Sequence, residues 1–156
     1  MNEQTRDFIR ENADKDIRLL ALSAKKNPDV DLSFALDQIA GRQTARQKLP
    51  SWAATDDIVY PPHLSMEQCS SEQTARYKMK LSSPSPHPSS KPSHPSSLID
   101  LTGGFGVDFS FMSRGFERAV YVERQENLCD IARHNFALLG MNNAEVVCGD
   151  GVDYLK

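Results

Sequence analysis

The sequence predicts an α/β protein in which three parallel strands form the carboxyl-terminal part, preceded by a helical region. Two observations support this fold class. Residues 98–101 are aliphatic apart from Asp100, and they lead into a glycine-rich turn and a helix. Two further strand patterns, at residues 118–122 and 144–148, follow with a helical pattern between them. Alternation of strands and helices is typical of a parallel sheet with helical crossovers.

The first predicted strand ends in an acid and continues into a glycine-rich turn. Asp100 would be costly in a buried strand without a partner, so we expect it to accept from backbone amides or to face a cationic ligand group. Gly104 and Gly106 allow a tight turn and leave room where a side chain would collide with a ligand. A strand, a glycine turn and a helix in this order bring backbone N–H groups up to a nucleotide-like ligand. Because the strand is so apolar, we expect it to be central in the sheet with both faces covered.

The next two predicted strands also run into acids. Glu123 follows the second strand, and its carboxylate can accept from both hydroxyls of a ribose. Asp150 follows the third strand and can accept from an exocyclic amine such as that of adenine. A helix predicted over residues 125–139 separates these strands. Each acid alone is at least as well explained as a solvated strand end or a turn residue. The three acids in this order favour a nucleotide-type pocket. Asp108, near the start of the first helix, is open to a second interpretation as a cap or a partner of the helix dipole.

Residues 100–106, Asp-Leu-Thr-Gly-Gly-Phe-Gly, resemble the glycine-rich first motif of the class I S-adenosylmethionine-dependent methyltransferases. The resemblance extends over roughly residues 98–155 and implies a Rossmann-like fold with S-adenosylmethionine as cofactor. It implies that Asp100 helps to hold the ammonium of the cofactor, that Glu123 binds the ribose hydroxyls and that Asp150 marks the adenine. The cofactor-binding residues that it implies are Asp100, Thr102, Gly103, Gly104, Gly106, Asp108, Glu123 and Asp150.

A narrower resemblance involves residues 67–78 and 100–108. Both stretches are similar to bacterial RNA methyltransferases that carry a THUMP-like C-terminal region, which implies RNA as the substrate. In many class I enzymes a segment before the first motif folds over the cofactor. Here that segment is a helix predicted from Ser70 or Ser71 onwards, and it offers the hydroxyls of Ser70, Ser71, Thr74 and Tyr77. A capping role is at least as good an interpretation of the two serines.

A nicotinamide or flavin dinucleotide domain is the closest alternative, because it uses the same strand, turn, helix and ribose acid. Its fingerprint needs a third small residue three positions after the second glycine. Phe109 stands at that position, counted from Gly106. Asp100 also argues against this alternative, because a carboxylate repels a pyrophosphate, whereas S-adenosylmethionine brings a sulfonium and an ammonium. The other alternative is a non-catalytic nucleotide-binding or partner-docking fragment.

No catalytic residue is assigned within the chain. An open doubly wound sheet has about five or more strands, and only three are predicted here. In the methyltransferases, the residues that hold the methyl acceptor follow the fourth strand, as an Asp or Asn before Pro. No such motif follows Asp150. We therefore expect the chain to be the first part of a longer enzyme and to be inactive alone.

Four regions are predicted along the chain. Residues 1–48 form a helical region, with helices at 5–11, 16–26 and 32–48. Residues 49–81 form an ordered arm and a helix, and residues 82–97 form a flexible linker of mostly Ser and Pro. Residues 98–156 form the first half of the cofactor-binding domain. The cations Arg42, Arg46 and Lys48 suit either a patch for RNA phosphates or, as the better interpretation, a solvated helix face.

Composition excludes several classes of function. The net charge is −3 and the isoelectric point about 5.8, so no general basic field attracts nucleic acid. The linker histidines, His87 and His94, have no neighbouring Cys or carboxylate, so we expect no metal. Cys69, Cys129 and Cys148 have no metal-binding or redox spacing, and we expect Cys129 and Cys148 to pack as small apolar residues. With no apolar run of about 20 residues, we expect a cytoplasmic protein without membrane contact.

Overall fold

A computed structural model describes residues 1–23, 27–82 and 96–156. It divides the chain into two compact units, Met1–Glu67 and Gln68–Lys156. Nearly all of the predicted Ser/Pro linker, including its two histidines, lies outside the described residues. Its flexibility and the four predicted region boundaries therefore stay predictions.

The first unit is helical. The predicted helices at 5–11 and 32–48 are confirmed, and the predicted helix at 16–26 is seen over Ile17–Ser23, with residues 24–26 outside the described part. Two short helices were not predicted, and the first of them begins at Pro50, whose restricted φ suits a helix start. The helices are α1 (Glu3–Glu11), α2 (Ile17–Ser23), α3 (Leu32–Lys48), α4 (Pro50–Ala53) and α5 (His63–Gln68).

A buried amide holds the arm that follows α4. Gln38 of α3 is 6% exposed. Its amide N–H donates to the carbonyl of Tyr60 at 3.0 Å, and its amide oxygen accepts from the N–H of the same residue at 2.8 Å. Trp52, the only tryptophan, is fully buried. The predicted ordered arm thus packs within the first unit, where the backbone N–H and carbonyl of Tyr60 are both hydrogen-bonded.

The second unit is an α/β layer with a parallel three-stranded sheet in the order β1-β2-β3. The strand positions and the helix after the glycine turn agree with the sequence pattern. The elements are α6 (Glu72–Ser82), β1 (Ser97–Asp100), α7 (Val107–Met112), a 3-10 turn (Ser113–Gly115), β2 (Arg118–Glu123), α8 (Glu126–Leu138), β3 (Ala144–Cys148) and α9 (Gly151–Tyr154).

Within the described residues, β1 is not the central strand. β2 has a hydrogen-bonded neighbour on each side, whereas β1 is paired only with β2. Ile99 is accordingly 46% exposed. In β2, by contrast, every residue after Arg118 is buried. An aliphatic run indicates burial but does not say which strand has two neighbours.

Three aromatic rings form the core between the sheet and its helices. Phe109 of α7, Tyr121 of β2 and Phe136 of α8 have ring centroids 5.3–5.6 Å apart, with Ala119 and Ala132 completing the buried cluster. Edge-to-face and tilted arrangements at these distances are favourable. Phe109 is fully buried, so the position that a dinucleotide fingerprint keeps small is filled by a core ring.

The cysteines differ from one another. Cys129 is buried, as expected, and its thiol donates to the carbonyl of Glu123 at 3.0 Å. Cys148 is exposed, so the expectation that it packs as an apolar residue is wrong. It is the last residue of β3, at an edge of the described sheet. Among the helices of the described residues, none combines the length and the apolar character that a membrane crossing needs.

Candidate functional site at the carboxyl edge of the sheet

Asp100 lies at the end of β1 and has the backbone partner that was expected. Its Oδ1 accepts from the N–H of Thr102 at 3.0 Å. Burial raises the pKa of Asp100 above its ordinary value of 3.8, and the nearby carboxylates of Asp108 and Glu123 add to this rise. The Thr102 N–H and the Lys78 ammonium act in the opposite direction on the same pKa. Asp108 and Glu123 therefore lie close enough to Asp100 to repel its charge.

The glycine turn is held by hydrogen bonds from β2. The N–H of Gly103 donates to the carbonyl of Val122 at 2.9 Å. The hydroxyl of Tyr121 donates to the carbonyl of Gly104. Burial raises the pKa of Tyr121 above its ordinary value, which keeps this hydroxyl protonated and able to donate. Tyr121 was not singled out from the sequence, where it is one aromatic residue within an apolar strand.

The glycines of this turn are needed for different reasons. Gly104 and Gly106 have left-handed φ values of 55° and 84°. A Cβ at Gly106 would lie 2.7 Å from the ring of Phe136, and one at Gly103 would lie 2.1 Å from the ring of Tyr121. A Cβ at Gly104 would meet nothing closer than 3.9 Å. Open space is therefore found beside Gly104, whereas the space beside Gly106 is filled by the core.

Glu123 is buried and makes two hydrogen bonds to the backbone. Its Oε2 accepts from the N–H of Gly104 at 2.9 Å, and its Oε1 accepts from the N–H of Gln125 at 2.9 Å. The residue is 7% exposed, so its interpretation as a solvated strand end is wrong. Each carboxylate oxygen has two lone-pair positions, so each can accept a second hydrogen bond.

Asp150 follows β3 and caps α9. Its Oδ1 accepts from the N–H of Val152 at 2.8 Å and from that of Asp153 at 3.3 Å. This confirms a turn role, and both of these hydrogen bonds use Oδ1 rather than Oδ2. The side chain is exposed at the mouth of a cleft. Capping and ligand contact are compatible here, because they use different oxygens of one carboxylate.

An open cleft joins the ends of the three strands. Its volume is about 560 Å³, within the range of roughly 300–1,000 Å³ that is typical of ligand pockets. It brings together Thr102, Glu123 and Asp150 of the predicted site, and leaves Asp100, Asp108 and the turn glycines outside its lining. The lining residues are Leu101, Thr102, Glu123, Arg124, Gln125, Gly149, Asp150, Gly151 and Val152.

Asp108 does not cap its helix. Its Oδ2 accepts from the Lys78 ammonium at 2.6 Å and from the Ser70 hydroxyl at 2.9 Å. Its Oδ1 is buried and has no hydrogen-bond partner among the described residues. A buried carboxylate oxygen without a donor is costly, so this end of the site has an unsatisfied acceptor. Asp108 thus links α7 to the segment that begins at Ser70.

Two of the four hydroxyls in the segment before the glycine turn, those of Ser71 and Thr74, contact each other. Ser71 caps α6, accepting from the N–H of Thr74 at 3.2 Å, and its hydroxyl contacts that of Thr74 at 3.0 Å. Tyr77 is 62% exposed. Lys78 was missed from the sequence. Its partners are Ser70, eight residues before it, and Asp108, 30 residues after it, and the second of these lies too far along the chain for a local pattern to indicate.

The cations of the first unit that were considered for RNA phosphates have partners within that unit. Arg42 pairs with Asp56 at 3.5 Å, and Arg46 pairs with Asp14. The ammonium of Lys48 donates to the carbonyls of Met66 and Glu67 at 2.8 and 2.7 Å. These contacts favour a role in the packing of the unit.

No protein-family model matches the chain, and no curated protein matches it significantly. Among solved structures, the chain is similar to a candidate methyltransferase from Porphyromonas gingivalis W83, with 27% identity and a TM-score of 0.74. That match covers 99% of this chain and 38% of the other, so the chain spans well under half of that protein's length.

Two weaker likenesses carry no inference here. One is to cofactor-bound Rv0187 from MTB, with 20% identity and a TM-score of 0.48 over 85% of this chain and 56% of that one. The other is to an O-methyltransferase from Bacillus cereus in complex with SAH, with 17% identity and a TM-score of 0.42 over 94% and 55% of the two chains. The predicted fold class is confirmed by the Porphyromonas gingivalis structure: the chain has an α/β, Rossmann-like methyltransferase fold.

Proposed function

We propose that the second unit is the S-adenosylmethionine-binding part of a methyltransferase. The observation that carries the proposal is the set of acids at the carboxyl ends of the three parallel strands, Asp100, Glu123 and Asp150. Ligands of open α/β sheets bind at this edge. The likeness to the Porphyromonas gingivalis protein supports the same reaction class.

The charges at this edge suit a cationic ligand. Asp108 and Glu123 both repel the charge of Asp100, and a sulfonium or an ammonium placed beside Asp100 would relieve that repulsion. A pyrophosphate would add to it instead. The unpaired Oδ1 of Asp108 and the open space beside Gly104 also fit a ligand that brings donors to this turn. The dinucleotide alternative is therefore disfavoured on charge as well as on the bulk of Phe109.

Each acid has its own part in the proposed site. Asp100 faces the ammonium, Glu123 accepts from the ribose hydroxyls with the lone pairs that Gly104 and Gln125 leave, and Asp150 accepts from the adenine amine. When bound, S-adenosylmethionine supplies an electrophilic methyl group. The residues of this chain bind and orient that cofactor. The acceptor must also be held in line, and such positioning is worth about 7–11 kcal/mol of the barrier, so transfer is assigned to the complete protein.

Calorimetry on the 156-residue chain tests the proposal. We expect S-adenosylmethionine and S-adenosylhomocysteine to bind and NAD to bind much more weakly. Stronger binding of NAD would overturn the assignment. Binding of adenosine-containing ligands in general, with no preference for those with an amino-acid part, would favour the alternative of a non-catalytic nucleotide-binding unit.

We further propose RNA as the methyl acceptor of the complete protein and the cytoplasm as its location, with a THUMP-like region following this chain. The resemblance of residues 67–78 and 100–108 to bacterial RNA methyltransferases supports this. Incubation with labelled S-adenosylmethionine and total RNA tests it: the complete protein should label RNA, and this chain alone should not.

A further inference from the structure

Three side chains from different parts of the second unit meet beside the glycine turn. The ammonium of Lys78, on α6, lies 2.6 Å from Oδ2 of Asp108 and 3.0 Å from the hydroxyl of Ser70. Ser70 in turn donates to the same carboxylate oxygen at 2.9 Å. An ammonium carries three donors, and these contacts use two of them. The third donor of Lys78 is available, and its side chain is 44% exposed.

The charge of Lys78 reaches the acids of the proposed cofactor site. It is the cation among the described residues that acts on Asp100, whose other charged neighbours are Asp108 and Glu123. Lys78 is bonded to Asp108, two residues after Gly106, and its charge acts on the carboxylate at the end of β1, before the same turn. An ammonium and a carboxylate on the two sides of the turn complement the two charges of an amino-acid zwitterion.

We propose that Lys78 determines specificity for the amino-acid part of the cofactor, by binding its carboxylate while Asp100 faces its ammonium. This rests on the proposed function. The ligand carboxylate would otherwise approach Asp100, Asp108 and Glu123, and three like charges would oppose its binding. Lys78 removes that repulsion and donates a hydrogen bond, which acid residues alone cannot supply. Ser70 and Asp108 are positioning residues, because they hold the ammonium at the edge of the turn.

Lys78→Met tests this role, since it removes the charge and keeps the apolar stem. Lys80→Met is the matched control, because Lys80 is an exposed cation on the same helix. The ligands are S-adenosylmethionine, S-adenosylhomocysteine and 5′-methylthioadenosine, which lacks the amino-acid part. Affinities come from calorimetry, and thermal unfolding shows whether each variant is folded. Lys78→Arg, which keeps the charge, serves as the second variant.

We expect Lys78→Met to weaken S-adenosylmethionine and S-adenosylhomocysteine by about tenfold or more, and to leave 5′-methylthioadenosine within about twofold of the wild type. Lys80→Met should change none of the three, and Lys78→Arg should keep most of the affinity. An equal loss for all three ligands would make Lys78 a structural residue and overturn the proposal, as would no loss at all. If the wild type binds none of them, the proposed function itself fails. If it binds them with an unchanged ratio in Lys78→Met, only the role of Lys78 fails.

Discussion

Gln38 in the first unit and Glu123 in the second have similar structural roles but different functional groups. Each is a buried polar side chain that holds an irregular segment through two hydrogen bonds to the backbone. The amide of Gln38 pairs with the N–H and the carbonyl of one residue, Tyr60. The carboxylate of Glu123 accepts from two N–H groups, those of Gly104 and Gln125, and donates nothing.

We call such a side chain a clamp. The amide clamp, Gln38, has a structural role, whereas the carboxylate clamp, Glu123, can also bind a ligand. The amide of Gln38 is neutral, and its N–H and its oxygen are each paired with a backbone group of Tyr60. A carboxylate that meets two N–H groups retains a lone pair on each oxygen and brings a negative charge into the cleft. Burial is nearly equal, at 6% exposed for Gln38 and 7% for Glu123. Unused acceptor capacity therefore distinguishes the two residues, and burial does not.

Distorting the turn that Glu123 holds should have the largest effect. Gly106→Ala places a Cβ 2.7 Å from the Phe136 ring at a left-handed φ of 84°. We expect a loss of about 2–5 kcal/mol in the free energy of unfolding, from backbone strain and overpacking together. Gly149→Ala is the control, because its Cβ would meet nothing within 4 Å. Chemical denaturation measures both variants, and equal stability would deny that the turn is packed against the core.

Removing the carboxylate clamp should affect both stability and binding. Glu123→Ala leaves the N–H groups of Gly104 and Gln125 without their acceptor, so we expect a loss of about 1.5–3 kcal/mol in the free energy of unfolding. The affinity for S-adenosylmethionine should also fall by about tenfold to a hundredfold. Calorimetry on a variant shown to be folded checks the second effect. An unchanged affinity would make Glu123 a structural clamp like Gln38.

Removing the amide clamp should affect stability alone. Gln38→Ala removes the side chain that pairs with the backbone N–H and carbonyl of Tyr60, and we expect a loss of about 1–3 kcal/mol in the free energy of unfolding. The affinity for S-adenosylmethionine should match that of the wild type in the same calorimetric assay. A weaker affinity in this variant would end the distinction between the two clamps.

A smaller loss in the free energy of unfolding is expected on removal of the neutral Tyr121 hydroxyl that holds the turn. Tyr121→Phe removes the hydroxyl that donates to the carbonyl of Gly104 and keeps the ring in the core. We expect about 0.5–1.5 kcal/mol in the free energy of unfolding, the usual contribution of a neutral hydrogen bond. Thermal unfolding measures it, and a change of several kcal/mol would show that the ring itself had moved.

The smallest effect on stability is expected at Asp100. Burial raises its pKa above 3.8, so the native chain binds this proton more tightly than the unfolded chain. The free energy of unfolding therefore decreases as pH rises from about 3.8 through the raised pKa, and remains lower above it. Asp100→Asn keeps an acceptor for the N–H of Thr102 and removes this pH-dependent contribution.

Two measurements check this prediction. The difference in the free energy of unfolding between wild type and Asp100→Asn should change with pH in that interval, to the disadvantage of the wild type at neutral pH. S-adenosylmethionine should bind the variant more weakly at neutral pH, because the charge is absent. A pH-independent difference in stability, or equal affinity, would contradict the role of this carboxyl.

The sequence alone determined the order and position of the elements around the site. The strands at 118–122 and 144–148, the helix at 125–139 and the three acids at strand ends follow from local periodicity and spacing, which act over a few residues. Phe109 also argued against a dinucleotide fingerprint before its burial was known. Such features are encoded locally, so they can be read without a structure.

Only the tertiary structure showed which residues from distant parts of the chain contact one another. That β2 lies between β1 and β3, that Phe136 fills the space beside Gly106 and that Lys78 reaches Asp108 all depend on residues 21 to 30 positions apart in the chain. The exposure of Cys148 depends in the same way on which strand lies at the edge of the sheet. Contacts over such separations depend on how whole helices and strands pack, and the local sequence pattern does not indicate them.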